Sequence, residues 1–237
     1  VNGRAHVVIG LAAPSFLVTA GADLGQVAVL GILSAGAALG PDIDHPNATA
    51  TKALGGVIHK AVHSLSKTVR WATSTRADRA AARQWEGLGR DADHRALTHT
   101  GVSALVIGLG GFAVSLVPFG EAAMAALAGW MVGHLIGRAA APVIAGGAGV
   151  LAFFSGTPAW MTALAVCLGW LSHVLADACT MGGVPLMWPM RKNGRRWSHT
   201  RLMGRMLRSG GGGEWVVTVA AVAVLMFPFA ATLLATH

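Results

Sequence analysis

Ala139–Ala176 reads AAAPVIAGGAGVLAFFSGTPAWMTALAVCLGWLSHVLA and carries no charged side chain over 38 residues. A helix that crosses the hydrocarbon core of a bilayer needs about 20 apolar residues. The run is therefore long enough for two, with Gly156-Thr157-Pro158 as the break between them. Outward from it, Leu24–Pro41 is uncharged for 18 residues, Thr100–Gly120 for 21 and Trp215–His237 for 23. Only 12% of the 237 residues are charged and 54% are hydrophobic, against about 25% charged in soluble domains. The pattern predicts an all-α fold, a polytopic transmembrane helical bundle of about seven spans, at roughly 4–22, 25–41, 99–118, 121–137, 140–155, 159–178 and 215–235. The chain reads as one membrane-embedded domain, 1–237, interrupted by a basic cytoplasmic insertion at 46–93.

The formal charge of +8 is unevenly placed. Lys52 to Arg95 holds nine Lys/Arg and Arg191 to Arg208 seven, with Arg4 and Arg138 apart. Basic loops of membrane proteins report topology, so they are read as cytoplasmic segments and not as a nucleic-acid footprint. Seven spans then start the chain inside and end it outside. Within the insertion, residues 52–72 predict an amphipathic helix. Leu54, Val57, Ile58, Ala61, Val62, Leu65, Val69 and Ala72 fall within an arc of roughly 140°. Lys52, His59, Lys60, His63, Lys67 and Arg70 oppose them, a face suited to anionic lipid headgroups. His59 and His63 have ligand spacing but share their face with cations, and are read as solvated. Cys167 and Cys179 show no CxxC spacing, so no disulfide framework is expected.

Chemistry concentrates at the ends of the apolar runs. Pro41-Asp42-Ile43-Asp44-His45-Pro46 closes the second, His94-Arg95-Ala96-Leu97-Thr98-His99 opens the third, and His173-Val174-Leu175-Ala176-Asp177 closes the sixth. Ionisable side chains beside hydrocarbon are costly and mark function by default. Asp with His is a donor set for Zn, and also for Mn or Fe. Alternation of the spans brings His6, Asp42, Asp44, His94, His99, His173 and Asp177 to the cytoplasmic face. His173 and Asp177 share one helix face at i, i+4. Simpler readings stand beside this one: Thr98 as a helix N-cap, and Asp177 paired with a nearby Arg.

The same residues carry a resemblance. Ala5-His6-Val7, Leu39 through Pro46, His94 through Thr100, and Gly169 through Thr180 continuing to Gly183-Val184-Pro185-Leu186-Met187-Trp188-Pro189 resemble the YdjM-type inner-membrane proteins, described as membrane-bound metal-dependent hydrolases. Ala96 stands where that family often has Gly, and the basic insertion is longer. The resemblance implies a multi-pass protein of a bacterial-type inner (cell) membrane. The His173–Asp177 spacing is also distantly similar to zinc phospholipases C, an analogy of fold level only.

Together these imply a hydrolase, with a phosphoesterase acting on a lipid or lipid-linked phosphate as the leading expectation. One or two divalent ions, Zn first, are expected on the seven candidate ligands. Asp42 or Asp44 would be ligand or general base, and Arg95 would stabilise phosphoryl charge. The rivals are a non-enzymatic membrane scaffold with a structural metal and a metal-ion transporter. Transporter sites usually lie near the bilayer midplane on broken helices.

Overall fold

The computed structural model describes residues 2–85, 95–203 and 212–235. Among the described residues ten α-helices follow in order: α1 Gly3–Ala12, α2 Leu24–Ala37, α3 Thr49–Leu54, α4 Gly56–Thr73, α5 Arg76–Trp85, α6 Gly101–Ser115, α7 Gly120–Ile136, α8 Ala140–Ser155, α9 Ala159–Ala178 and α10 Gly212–Ala235. Short 3-10 turns sit at Ser15–Ala20, Gly40–Asp44 and Leu97–His99. Among the described residues there is no sheet; two isolated bridges, Val184 to Thr200 and Lys192 to Arg195, tie the loop after α9.

The all-α class holds, but the count of about seven spans does not. Among the described residues, four stretches are long and apolar enough to cross a membrane: Gly3–Ala20, Leu24–Asp44, Ala159–Ala178 and Trp215–Thr232. The three intervening helices run 15, 17 and 16 residues. At 1.5 Å per residue they reach roughly 22–26 Å, short of the ~30 Å core. The expected span at 99–118 counted uncharged connectors as helix, whereas those at 121–137 and 140–155 match the observed helices in length and are themselves too short to cross. Leu97–His99 is a 3-10 turn, Thr100 is the residue that caps α6, and Phe119 turns the chain with φ 63° without any charged side chain.

Alternation survives the shortening, because each short helix still reverses the chain. The α7 end lies at the α1 start, where Leu135 and Leu39 face Gly3. The α8 end lies at the opposite pole, where Gln26 donates to the Ser155 carbonyl at 3.3 Å. So α9 returns to the pole that holds the α1 start, the α2 end and the α6 start.

One close approach sets that return. A Cβ on Gly169 of α9 would overlap the backbone of Ser34 in α2. One turn further along both helices, His173 Nδ1 donates to the Ala38 carbonyl at 2.8 Å. The glycine therefore fixes the reach of the histidine. Gly169→Val is expected to lower stability by about 1–3 kcal/mol through overpacking, read as a fall in the thermal midpoint. Gly147→Val, where a Cβ meets nothing, is the control that should not move it.

The amphipathic helix forms as α4, though not as a helix facing only lipid headgroups. Its apolar side turns partly inward, and Ser66 Oγ accepts from Leu97 N at 3.1 Å. α5 is anchored by Asp78, which accepts from Thr75 N and Oγ1 at 2.9 Å each and from Arg196 N and Trp197 N at 3.1 Å each. Burial pushes this carboxyl up, but the hydrogen bonds outweigh it and hold its pKa below the usual carboxylate value. A depressed carboxylate stabilises the fold above its unfolded pKa, about 3.9. That contribution is lost only as the pH falls through the lower folded value. Between pH 5 and 8 the docking of residues 195–197 should be pH-independent, whereas Asp78→Ala should speed proteolytic cutting at Arg195 and Arg196 across the whole range.

Candidate metal centre

Each side chain of the site is delivered by a helix end. Asn2 caps α1 by accepting from Ala5 N at 3.0 Å, and His6 follows on the first turn. The proline at 41 starts the 3-10 turn that carries Asp42 and Asp44, closed by His45 N donating to the Asp42 carbonyl at 2.8 Å. The Ile43 carbonyl between the two acids accepts from Thr51 Oγ1 at 3.0 Å and from His59 Nδ1 at 2.8 Å. His59, read as solvated, is thus a strut of the aspartate turn. The polar-face pattern hid this because the turn lies against that face. Trp170 Nε1 donates to the Thr98 carbonyl at 2.8 Å and holds the turn with His99 against α9.

Five candidate ligands converge. His173 Nε2 lies 3.4 Å from Asp42 Oδ1, 3.9 Å from Asp177 Oδ2 and 3.3 Å from His99 Nε2. His99 Nε2 lies 3.5 Å from Asp42 Oδ1 and 3.7 Å from Asp177 Oδ2. His6 stacks on His173 with ring centroids 3.7 Å apart, and its Nε2 is 3.6 Å from Asp177 Oδ1. Two triads, His6–His173–Asp177 and Asp42–His99–His173, each offer three donor atoms within 4.8 Å of one another. His6, His99, His173 and Asp177 are all at most 2% exposed, whereas Asp42 is 29% exposed and marks the open side.

The tautomers suit a cation. His173 uses Nδ1 on a carbonyl, which leaves the Nε2 lone pair for the cluster, the arrangement in which an outer acceptor fixes a metal-binding imidazole. Thr98 Oγ1 donates to Asp44 Oδ2 at 3.0 Å and so accepts from His99 Nδ1 at 3.0 Å. His99 likewise keeps Nε2 for the cluster. Burial pushes the His99 pKa down, against the pull of Asp42, which favours the neutral ligand form. Neither ring nitrogen of buried His6 has a hydrogen-bond partner. An orphaned imidazole against a carboxylate is costly unless something completes it, and a divalent ion does so. The residues therefore fit a metal. Because His173 has only Nε2 to give, it can serve one ion; if two are bound, the second relies on other donors.

The other expected residues fall differently. Asp44 is buried behind Thr98, one layer out from the convergent atoms. His94 lies outside the described residues. Arg95 Nη2 pairs with Asp177 Oδ2 at 2.8 Å, and Nη1 donates to Thr180 Oγ1 at 2.8 Å. The simpler reading, Asp177 with an Arg, thus coexists with its place in the cluster: one oxygen faces Arg95, the other His6. Thr98 is no helix cap; Thr100 caps α6 by accepting from Ser103 N at 3.0 Å. Thr98, Thr180, Trp170 and the Ala38 carbonyl were not found from sequence. Thr98 was signalled by lying between His94 and His99, and Trp170 and Thr180 by lying in the Gly169–Thr180 motif, but no role followed for them from sequence.

A buried His/Asp cluster able to chelate a divalent metal thus sits at one pole of a multi-pass helical bundle. Comparisons with curated proteins and with solved structures gave no match, so the likeness to zinc phospholipases C rests on the His173–Asp177 spacing alone. The family model described as YdjM inner membrane protein matches residues 1–235, and the chain belongs to that inner-membrane family.

Proposed function

We propose that the protein is a metal-dependent hydrolase of phosphoric esters that acts on a lipid or lipid-linked phosphate at the cytoplasmic membrane face. The observation that carries the reading is the convergence of His6, Asp42, His99, His173 and Asp177 at one pole, with Asp42 on the open side. His and Asp donors suit Zn, and also Mn or Fe. The chemistry such an ion supplies when bound is a water of pKa about 7 and charge stabilisation on substrate oxygens. The protein's own part is positional. Asp44, through Thr98, orients His99, and Asp42 stands where water and substrate enter, as ligand or proton acceptor. Arg95 holds Asp177 and keeps an Nε–H without a protein acceptor, a donor suited to phosphoryl oxygen.

Charge supports an anionic substrate. A cavity of about 230 Å³ between α4, α5 and residues 195–201 is lined by Arg70, Arg79, Arg195 and Arg201, with Asp78 its acid. His199 on the same wall is pushed down to about 4, by burial first and then by Arg70 and Arg201, so it stays neutral near pH 7. The cavity connects to Arg95 through the loop after α9. Arg201 Nε donates to the Met181 carbonyl at 2.9 Å, His199 Nδ1 to the Gly182 carbonyl at 2.9 Å, and Gly182 abuts Arg95. These cations and those of α4 lie at the pole of the cluster, and the positive-inside bias supports a cytoplasmic orientation. The test is phosphate release from phospholipids and prenyl phosphates by protein in detergent. Release from at least one class, abolished by chelator, is expected; release from none would overturn the reading.

A further inference from the structure

A hollow of about 650 Å³ lies between the apolar side of α4 and the bundle. Val62 and Leu65 of α4 form one wall; Leu33 of α2, Val106 of α6 and Leu127 of α7 form the others. At the site end it is closed by Ile43, which stands between Asp42 and Asp44, and by Thr98, which binds Asp44 and His99. The hollow and the metal centre thus share a wall one residue thick.

Its chemistry is narrow. The two hydroxyls on its lining are already used: Thr98 donates to Asp44, and Ser103 donates to the Thr98 and Thr100 carbonyls. Water needs two to four polar partners to occupy a cavity, and these walls do not offer them. The hollow is not an enclosed packing void: it opens on one side, and Leu65, Val106 and Leu127 on its walls are about half exposed. Its volume is instead that of a small-molecule site, ~300–1,000 Å³. Hydrocarbon is the filling that walls of Leu, Val and Ile accept, and the adjoining spans place it beside hydrocarbon. One donor on the lining, Trp188 Nε1, has no partner; it suits an ester or phosphate oxygen near the head of a chain.

We propose that this hollow holds one long hydrocarbon chain of the substrate lipid while its phosphate lies at the metal centre. The substrate class is then a lipid phosphate recognised by its chain as well as by its headgroup. The inference rests on the reading above for the phosphate and not for the chain. Short alkyl phosphates should bind poorly although they carry the same reacting group.

The test uses the full chain in lipid nanodiscs with a trace of hexadecyl phosphate bearing a diazirine near the chain end. Photolabelling should concentrate on peptides containing Val62–Val69 and Val102–Ile107, at least tenfold over the peptide of the outward Val114. Excess hexadecanol and hexadecyl phosphate should both compete, and butyl phosphate should not. Val62→Trp and Val106→Trp fill the hollow with apolar atoms and should cut labelling at least fivefold with bound metal unchanged. Leu109→Trp, outside the hollow, should leave both unchanged. Labelling spread over all outward helix faces and indifferent to Val62→Trp would show bulk lipid only and overturn the proposal. Competition by butyl phosphate equal to hexadecyl phosphate would overturn it too, by assigning the binding to free phosphate chemistry. Labelling of the hollow in a protein that releases no phosphate would overturn the hydrolase and leave the chain site standing.

Discussion

His173→Ala is expected to strip the protein of bound metal. Its Nε2 belongs to both triads, its Nδ1 is fixed on the Ala38 carbonyl, and it is buried, so no solvent-facing donor can replace it. Loss of one outer partner of a metal-bound His typically costs 10–100-fold in affinity. Removal of a ligand common to both triads should exceed that, on the order of 100-fold or more. Thr98→Val tests the outer layer. It keeps the volume but cuts the link from His99 Nδ1 to Asp44, and should weaken metal binding by ~10–100-fold. His134→Ala is the control: its Nδ1 donates to the Trp130 carbonyl at 3.0 Å, away from the cluster. Elemental analysis of the purified variants decides between these outcomes. Equal metal in His173→Ala and His134→Ala would remove the centre.

Arg95→Ala should keep metal and lose turnover. The guanidinium touches Asp177 and Thr180 through its two Nη atoms, but the described ligand donors remain without it. Removal of a charge-assisted donor at a developing oxyanion costs on the order of 10²-fold or more in kcat. Arg95→Lys places a charge near Asp177 without the planar fork and should recover part of the rate. A loss confined to kcat marks an interaction made in the transition state, whereas a rise in KM alone marks substrate binding. Metal loss and a fallen thermal midpoint together in Arg95→Ala would instead make Arg95 a structural partner of Asp177. A buried carboxylate left unpaired typically costs 3–5 kcal/mol.

The site was more legible than the bundle around it. His6, Asp42, His99, His173 and Asp177 could be gathered from sequence because each sits where an uncharged run meets polar sequence, and alternating helices bring such ends together. The span count failed for a related reason. Inside a membrane a turn needs no charged residue to mark it, so residues 116–118 were read as part of the helix that ends at Ser115, and the helices at 120–136 and 140–155 were taken as spans although each falls short of the ~30 Å core. The hydrogen bonds that orient the ligands were out of reach. Thr98 meets Asp44 across 54 residues, and His173 meets Ala38 across 135; no local period encodes either. His59 was misread because its neighbours on the helix are cations, while its partner, the Ile43 carbonyl, lies on another element.

The central claim, that this cluster is a metal-dependent phosphoester-cleaving centre, is tested most directly by one titration. Purified protein is stripped with chelator and phosphate release from a long-chain lipid phosphate is followed as Zn or Mn is returned. The expected result is no release from stripped protein and recovery that saturates at one or two ions per chain. Release that survives stripping, or a metal-loaded protein that cleaves no phosphoester, would contradict it.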